Sequence, residues 1–505
     1  MNADVIAVWG QSIKSLVDRT TMYRLVLYYL LVLFVPALLF GAIGVLPYAP
    51  TDLLWSTGVL IAVSLLSNKF FAWLFGAVTN QESVFITSLI LAFVVSPVAI
   101  ADVAGSVMLA VVSSVAMASK YVFVFMKKHI FNPVAVALVF SAFALGAPAS
   151  WWVAGSFPLL PFLIVGGFIV VYKLQKFDLV LAFFTASLLT IALISQNFVA
   201  GTQATFLYSA VFFFAFVMLT EPLTMPNTRV FRITYGALVG VLFIWAPHIG
   251  SFYFSPEIAL IVGNLFSYLV SPKGRYMLTF VERRMLASGI YEYVFKSDRV
   301  LHFKSGQYLE WTLSNVPLDN RGNRRFFTIA SAPCLPAGRH EDKTLALGVR
   351  FYDKPSAFKR TLAELSVGAV ISTSSLGGDF VMPRDTKKKL VFLAGGIGVT
   401  PFASMARHCI KANEQRDAVL LYSSKTDAEV AYRDIFTNAS RCGWRTEYRI
   451  GAIDAEFIKQ AVPDYSERLF YISGPPGMVD AMKSILINIG ISRFNIKTDF
   501  FPGLA

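Results

Sequence analysis

What most constrains this chain is a series of apolar stretches, each about twenty residues long, that fills the first 272 residues and then stops. About ten are found, centred near residues 35, 62, 90, 111, 140, 164, 187, 212, 240 and 262, several of them interrupted by Gly or Pro. Lipid offers no water to an open backbone, so such stretches must pack as helices. Charge divides the same way: only 11 of the 44 Lys and Arg, and 8 of the 31 Asp and Glu, precede Lys273. The expectation is a polytopic α-helical membrane domain over 23–272. Ahead of it, 1–22 reads as an amphipathic segment on the bilayer surface, with Val5, Ile6, Val8, Trp9, Ile13, Leu16 and Val17 as its apolar positions. The first stretch, Tyr23 to Leu46, is too long for a signal peptide and has no small-residue cleavage site, so it reads as a retained span.

The connections alternate in charge. Lys14, Arg19 and Arg24; Lys69; Lys120, Lys127 and Lys128; Lys173 and Lys176; Arg229 and Arg232; and Lys273 with Arg275 fall in every second loop. The loops near 50, 100, 152, 200 and 250 carry no Lys or Arg, so the positive-inside rule puts both termini in the cytoplasm. The formal charge of +13 suits an anionic membrane surface or anionic cofactors. No basic run or RNA-binding signature accompanies it, which argues against nucleic acid. Cys334, Cys409 and Cys442 have no CxxC spacing, so no four-thiolate cluster can form and no metal is expected.

Two polar segments interrupt the apolar half: Lys127-Lys128-His129-Ile130-Phe131-Asn132-Pro133 and Thr220-Glu221-Pro222-Leu223-Thr224. Each sets polar groups beside a helix-breaking proline. One reading is ordinary capping at the membrane interface. The other is that broken helix ends offer backbone donors and a carboxylate to a polar ligand, with His129, Asn132, Pro133, Thr220, Glu221 and Pro222 as candidates. Together the segments resemble the NqrB/RnfD family, membrane components of the sodium-translocating NADH:quinone oxidoreductase and of the Rnf complex. Phe131-Asn132-Pro133-Val134 answers its FNPA-like motif and Thr220-Glu221-Pro222 its TDP-like motif. The resemblance covers 20–272 and implies about ten spans in a prokaryotic cytoplasmic (inner) membrane. It departs at the family's flavinylated threonine, where Tyr208-Ser209-Ala210-Val211 offers no hydroxyl at the fourth position. Thr205 lies six residues too early, so the expectation is no covalent flavin. Non-covalent FMN or riboflavin, or quinone, remains open for this half.

After Lys273 the periodicity shortens to β-branched and aromatic runs between Gly, Pro and Asp, the signature of an antiparallel β-barrel over 273–384. Over 385–505, buried strands at Lys389–Ala394, Ala418–Tyr422, Thr446–Ile450 and Arg468–Ile472 alternate with helices, which indicates a doubly wound α/β domain. Leu393-Ala394-Gly395-Gly396-Ile397-Gly398-Val399-Thr400-Pro401-Phe402 follows a strand and opens a helix, the arrangement in which glycines admit a pyrophosphate to helix N–H groups.

This pair of lobes resembles the ferredoxin-NADP reductase superfamily. Arg324-Arg325-Phe326-Phe327-Thr328-Ile329-Ala330-Ser331 is similar to its RxYS/T flavin motif, Phe303 to Tyr308 to its FxxGQY strand, and Leu376-Gly377-Gly378-Asp379-Phe380 to its GPxGxF turn. Gly348-Val349-Arg350 and Ser356 fit its second flavin-phosphate segment, Gly395 to Pro401 its GGxGxTP loop, and Tyr471-Ile472-Ser473-Gly474-Pro475-Pro476-Gly477-Met478 its CGPPxM segment. The resemblance implies FAD and NAD(P)H as cofactors. Arg325 would pair with the flavin pyrophosphate, Phe327 cover the isoalloxazine with Phe326 beside it, and Thr328 hydrogen-bond near N5. Ser331, Gly348, Val349 and Ser356 complete the flavin side. Gly395, Gly396, Gly398, Thr400, Pro401, Gly474, Pro475 and Pro476 make the dinucleotide side. Thr328, Ser473 and Phe500 stand nearest the chemistry, with Phe500 or Phe501 on the flavin face or simply in the core. Ser423, Ser424, Lys425 and Arg433 can hold a 2′-phosphate or be solvated, so NADH and NADPH stay unresolved.

The reading is a membrane-bound, FAD-dependent NAD(P)H oxidoreductase that passes electrons into a membrane redox domain, to quinone, a redox partner protein or across the bilayer. The alternatives are a transporter or channel with a redox-sensing reductase domain, and a haem-type transmembrane reductase. The latter needs paired histidines, and only His129 and His248 precede residue 273.

Overall fold

The computed structural model describes residues 20–499 except 78–80, 126–127, 250–251, 273, 314–315, 317–322 and 336–342. Residues 1–19 of the surface segment expected over 1–22, Lys127, Phe500 and Phe501 therefore lie outside the described residues. The chain divides into two compact units, Met1–Lys273 and Gly274–Gly503.

Every apolar stretch of the first unit carries a helix. The first half runs α1 Met22–Ala42, α2 Pro50–Leu74, α3 Gln81–Val94, α4 Val103–Val122, a hairpin of β1 Val124–Phe125 with β2 Lys128–His129, and α5 Pro133–Ala144. The second runs α6 Leu160–Leu174, α7 Phe177–Ile194, the bent pair α8 Phe198–Tyr208 and α9 Val211–Met218, α10 Arg229–Trp245, a hairpin of β3 His248–Ile249 with β4 Phe252–Tyr253, and α11 Pro256–Val270. The same order of long, long, short or broken, long, hairpin and proline-started helix thus occurs twice.

Five helices are long and apolar enough to cross a membrane: α1, α2, α4, α6 with its leading turn from Phe157, and α7. A sixth is added if α8 and α9, bent by 66°, count as one span, while α3, α5 and α11 are shorter. Hydropathy outruns helix in this unit because proline stops the helix before the apolar residues end. After α3 comes Ser96-Pro97, and after α5 comes Pro148.

Those early endings leave carbonyls inside the bundle, and the chain itself satisfies them. Val94 O accepts from Ser150 N at 2.8 Å and Trp151 N at 3.0 Å, and Ala92 O accepts from Trp152 Nε1 at 2.8 Å. Small residues set the helix spacing. On α10, a Cβ at Gly236 would fall 2.5 Å from Leu179 O, and one at Gly240 2.5 Å from Phe183 O, so α10 lies against the backbone of α7. At one end of this contact Arg232 and Asp178 form a buried pair at 2.8 Å.

The second unit opens with six strands, β5 Tyr276–Ala287, β6 Ile290–Ser297, β7 Tyr308–Thr312, β8 Arg324–Thr328, β9 Thr344–Arg350 and β10 Val370–Gly377. They form one antiparallel sheet in the order β8-β7-β10-β5-β6-β9. The two edge strands meet just past β8, where Ala330 N donates to Ala346 O at 2.8 Å. Between β9 and β10 lies α12, Ala357–Ala363.

Five further strands follow: β11 Leu390–Gly395, β12 Ala418–Ser424, β13 Trp444–Ile450, β14 Leu469–Ser473 and β15 Ile496–Thr498. They make a parallel sheet in the order β13-β12-β11-β14-β15. The helices between them are α13 Thr400–Ala412, α14 Arg433–Ala439, α15 Ala455–Ala461 and α16 Pro476–Asn488. Every residue of β11 is buried, as a central parallel strand requires, while β13 at the edge is largely exposed. The strand order reverses between β11 and β14. In open α/β sheets this switch point opens a crevice at the carboxyl ends of the strands.

Candidate functional site

Two glycine-bearing turns face each other at that crevice. Gly396–Val399 forms a single 3-10 turn leading into α13, and Ser473 to Pro475 leads from β14 into α16. A Cβ on Gly398 would meet Gly474 Cα at 2.5 Å and Ser473 O at 2.6 Å, so the turns touch backbone to backbone. Gly396, at φ +53°, has no neighbour closer than Arg350 Nη1 at 3.5 Å from the position of a Cβ. Space remains there above the start of a 13-residue helix whose free N–H groups favour an anion. Thr400 Oγ1 turns back onto Ile397 O at 2.7 Å and holds the turn.

The end of the described chain closes one side. Asp499 N donates to Ile472 O at 2.9 Å, and Ser473 Oγ donates to Asp499 Oδ2 at 3.1 Å. Asp499 belongs to the Thr498–Gly503 stretch that resembles the superfamily's terminal acidic-aromatic segment, but its pairing with Ser473, 26 residues away, appears only in the fold.

The antiparallel sheet brings up the expected flavin residues. On β8, Arg325 and Phe327 share a face: the Arg325 guanidinium lies 5.5 Å from the Phe358 ring centre, and Phe327 packs on the same ring at 5.8 Å. Phe326 turns to the opposite face and meets Tyr308 edge-on at 5.5 Å, so the strand separates it from the Arg325 face. Thr328 is buried. Ser356 caps α12 by accepting from Lys359 N at 3.4 Å. The 303–308 and 376–380 segments interlock, with Gln307 Nε2 donating to Gly378 O at 3.2 Å.

Residues expected on the flavin side and on the dinucleotide side meet at β9. A Cβ on Gly348 would lie 3.3 Å from Thr400 Oγ1 and 2.6 Å from Tyr432 Oη. Behind this contact, Glu292, 2% exposed, pairs with Arg407 at 2.8 Å, and Arg407 also donates to Ala330 O at 2.9 Å. Ser404 Oγ donates to Ser331 O at 2.8 Å, so α13 is fastened to the antiparallel sheet. Burial pushes the Tyr432 phenol well above its ordinary value and the Cys409 thiol up to about 12, so both are neutral at pH 7.

In the helical unit the two polar segments meet. Asn132 caps α5, its Oδ1 accepting from Val134 N and Ala135 N. Its Nδ2 donates to Glu221 Oε2 at 2.9 Å, as does Thr224 Oγ1 at 2.9 Å. Asn132 N donates to Asn264 Oδ1 at 2.8 Å, and Asn264 Nδ2 reaches the Tyr235 hydroxyl at 3.1 Å. Pro133 is the first residue of α5, and Pro222 follows Glu221 after α9. Thr220 spends its hydroxyl on Phe216 O at 2.6 Å, and His129 sits half-buried on β2. Lys120, one of the loop-charge residues of the sequence, bonds Ser83 O and Oγ at 3.0 and 3.1 Å. Among the described residues no group of three or more His, Cys, Asp or Glu is arranged to hold a metal.

Residues 392–484 match the model of the oxidoreductase NAD-binding domain family. The chain is 26% identical over 196 residues to an NADPH oxidoreductase of Mycobacterium tuberculosis, covering 38% of this chain and 50% of that protein. It is 26% identical over 246 residues to the phenol hydroxylase P5 protein of Acinetobacter pittii, covering 46% and 66%. Among solved structures, the FAD/NAD binding domain of a nitric oxide dioxygenase from Vibrio cholerae aligns with a TM-score of 0.39 and 18% identity, over 45% of this chain and 98% of that one. The chain thus spans between half and two thirds of the length of these two curated relatives.

Proposed function

We propose that this chain is a membrane-bound, FAD-dependent NAD(P)H oxidoreductase. The observation that carries the reading is the meeting, at one switch point, of the open Gly396 turn, the Ser473–Asp499 pair and the Gly348–Thr400 contact. FAD, when bound, accepts a hydride from nicotinamide and gives up electrons singly.

The residues fit that work. The Gly396 turn and the start of α13 offer backbone donors to a dinucleotide pyrophosphate. The touching backbones of Gly398 and Gly474 fix the width of the nicotinamide slot. Ser473, held by Asp499, presents a hydroxyl at its floor. Arg325 supplies fixed positive charge for a flavin pyrophosphate, and Phe327, anchored on Phe358, an aromatic face for the ring. Thr328 stands on the opposite face of β8, where its hydroxyl is sheltered from water.

The domain reading keeps 1–22 as a surface segment, 23–272 as membrane domain, 273–384 as FAD domain and 385–505 as NAD(P) domain. The helical unit is read as ten passes of the NqrB/RnfD kind, with the short helices as half-spans. Its repeated order of elements supports this. In this reading the Asn132–Glu221 cluster is a polar site at broken helix ends, taking a non-covalent flavin or quinone, and electrons leave to quinone or a redox partner protein.

The test is NAD(P)H added without oxygen to the purified chain in lipid vesicles containing quinone. Loss of the flavin's visible absorbance followed by quinone reduction is expected. Nucleotide binding without turnover would instead favour a transporter with a sensing domain, and a haem absorbance band a haem-type reductase.

A further inference from the structure

Arg350 ends β9, two residues past Gly348, in a stretch whose resemblance assigns it to the flavin phosphates. The structure turns its side chain elsewhere. The guanidinium reaches out of the antiparallel sheet to the parallel-sheet lobe, where Nη2 pairs with Glu429 Oε1 at 2.6 Å. Its Nη1 is the nearest atom to the vacant side of Gly396, 3.5 Å from where a Cβ would stand. Glu429 lies in the turn after β12, residues 427–429, and its other oxygen, Oε2, is buried without a hydrogen-bond partner.

Several contacts preset this geometry. Lys359 Nζ donates to Arg350 O at 2.9 Å. The Tyr352 ring lies under the guanidinium at 5.4 Å. Ser288 N donates to Ala428 O at 2.9 Å, tying the Glu429 turn to the antiparallel sheet. A guanidinium so placed faces the space that the glycine turn and the start of α13 keep open for an anion.

We propose that Arg350 is the opposite wall of the dinucleotide pyrophosphate seat: Glu429 parks its guanidinium over Gly396, and an arriving pyrophosphate takes it over. This rests on the NAD(P)H reading above and adds the residue that supplies charge, since the glycine turn itself has none. The pairing is planar and charge-assisted, which suits a guanidinium and a diphosphate. Glu429, left beside the bound anion, opposes it and sets how tightly it is held.

The experiment is calorimetric titration of the FAD-loaded full chain with ADP, which carries the pyrophosphate, and with adenosine, which does not. In Arg350→Gln, ADP affinity should fall about tenfold or more while adenosine is unchanged and FAD content is kept. Arg350→Lys should fall between the two, and Glu429→Gln should bind ADP severalfold more tightly. Raising salt should weaken ADP binding more in the native chain than in Arg350→Gln. Unchanged ADP affinity in Arg350→Gln would overturn the proposal, as would loss of FAD with ADP affinity kept, which would return Arg350 to the flavin. Failure of the native FAD-loaded chain to bind ADP at all would instead overturn the NAD(P)H reading, and this with it.

Discussion

In the helical unit, Gly236 and Gly240 let α10 lie on the backbone of α7 and leave no space between them. In the second unit, Gly398 makes an equally close contact with Gly474, but two residues earlier Gly396 faces open space. The first pair of glycines only packs helices. The second pair builds a floor with one and leaves a seat with the other. Polar groups divide the same way: Asn132, Glu221, Thr224, Asn264 and Tyr235 are joined to one another, whereas the turn before α13 has open space beside Gly396. In the first region the polar groups hold one another in place, and in the second a turn has open space on one side.

The largest effect expected from breaking this contrast is at the floor. In Gly398→Ala the new methyl meets backbone that cannot turn aside, and overpacking of about 1–3 kcal/mol converts to a rise of roughly five- to 150-fold in KM for NAD(P)H, measured by steady-state kinetics. The native melting transition should persist. Filling the opposite region with Gly240→Leu should reverse the pattern. Stability of the helical unit falls by about 1–3 kcal/mol by thermal unfolding in detergent, with NAD(P)H still bleaching the flavin at the native rate.

A smaller effect belongs to Asn132→Ala, which removes a helix cap and leaves Glu221 one donor short; about 1–2 kcal/mol of stability should go, measured by thermal unfolding in detergent. If the cluster also takes quinone, the same variant slows quinone reduction while flavin reduction is untouched.

The smallest is a pH effect at Asp464, just ahead of β14 in the second unit. Hydrogen bonding to Arg468 holds the Asp464 carboxyl down to about 2 from 3.8. A depressed carboxyl stabilises the fold above its unfolded value, so this contribution is full above about pH 4 and disappears as pH falls toward about 2. Asp464→Asn should flatten that acid limb in a melting-temperature series. The side chain is 32% exposed, so the change is small.

Much of the second unit was legible because its signals are local. Strand, glycine turn and helix follow each other over 390–412, and the burial of β11 follows from its unbroken apolar run. What joins the parts was not legible. Arg350 and Glu429 are 79 residues apart, Glu292 and Arg407 115, and Asn132 and Asn264 132. Nothing in a window around either partner encodes such a pair; the fold alone brings them together. In the helical unit the ten apolar stretches marked where helices lie but not their lengths. Apolar composition measures burial in lipid or protein alike, and the non-helical residues around Trp151 and Trp152 are buried without being helical. Lys120 shows the same limit, since a lysine bonded inward to Ser83 is indistinguishable in sequence from one facing water.

The most direct test of the account is anaerobic addition of NADH, and separately NADPH, to the purified full chain reconstituted with FAD, followed by visible absorbance. FAD should be retained, at least one of the two nucleotides should bleach it completely, and Gly398→Ala should do so only at far higher nucleotide concentration. A chain that retained FAD yet kept its absorbance with both nucleotides would contradict the account.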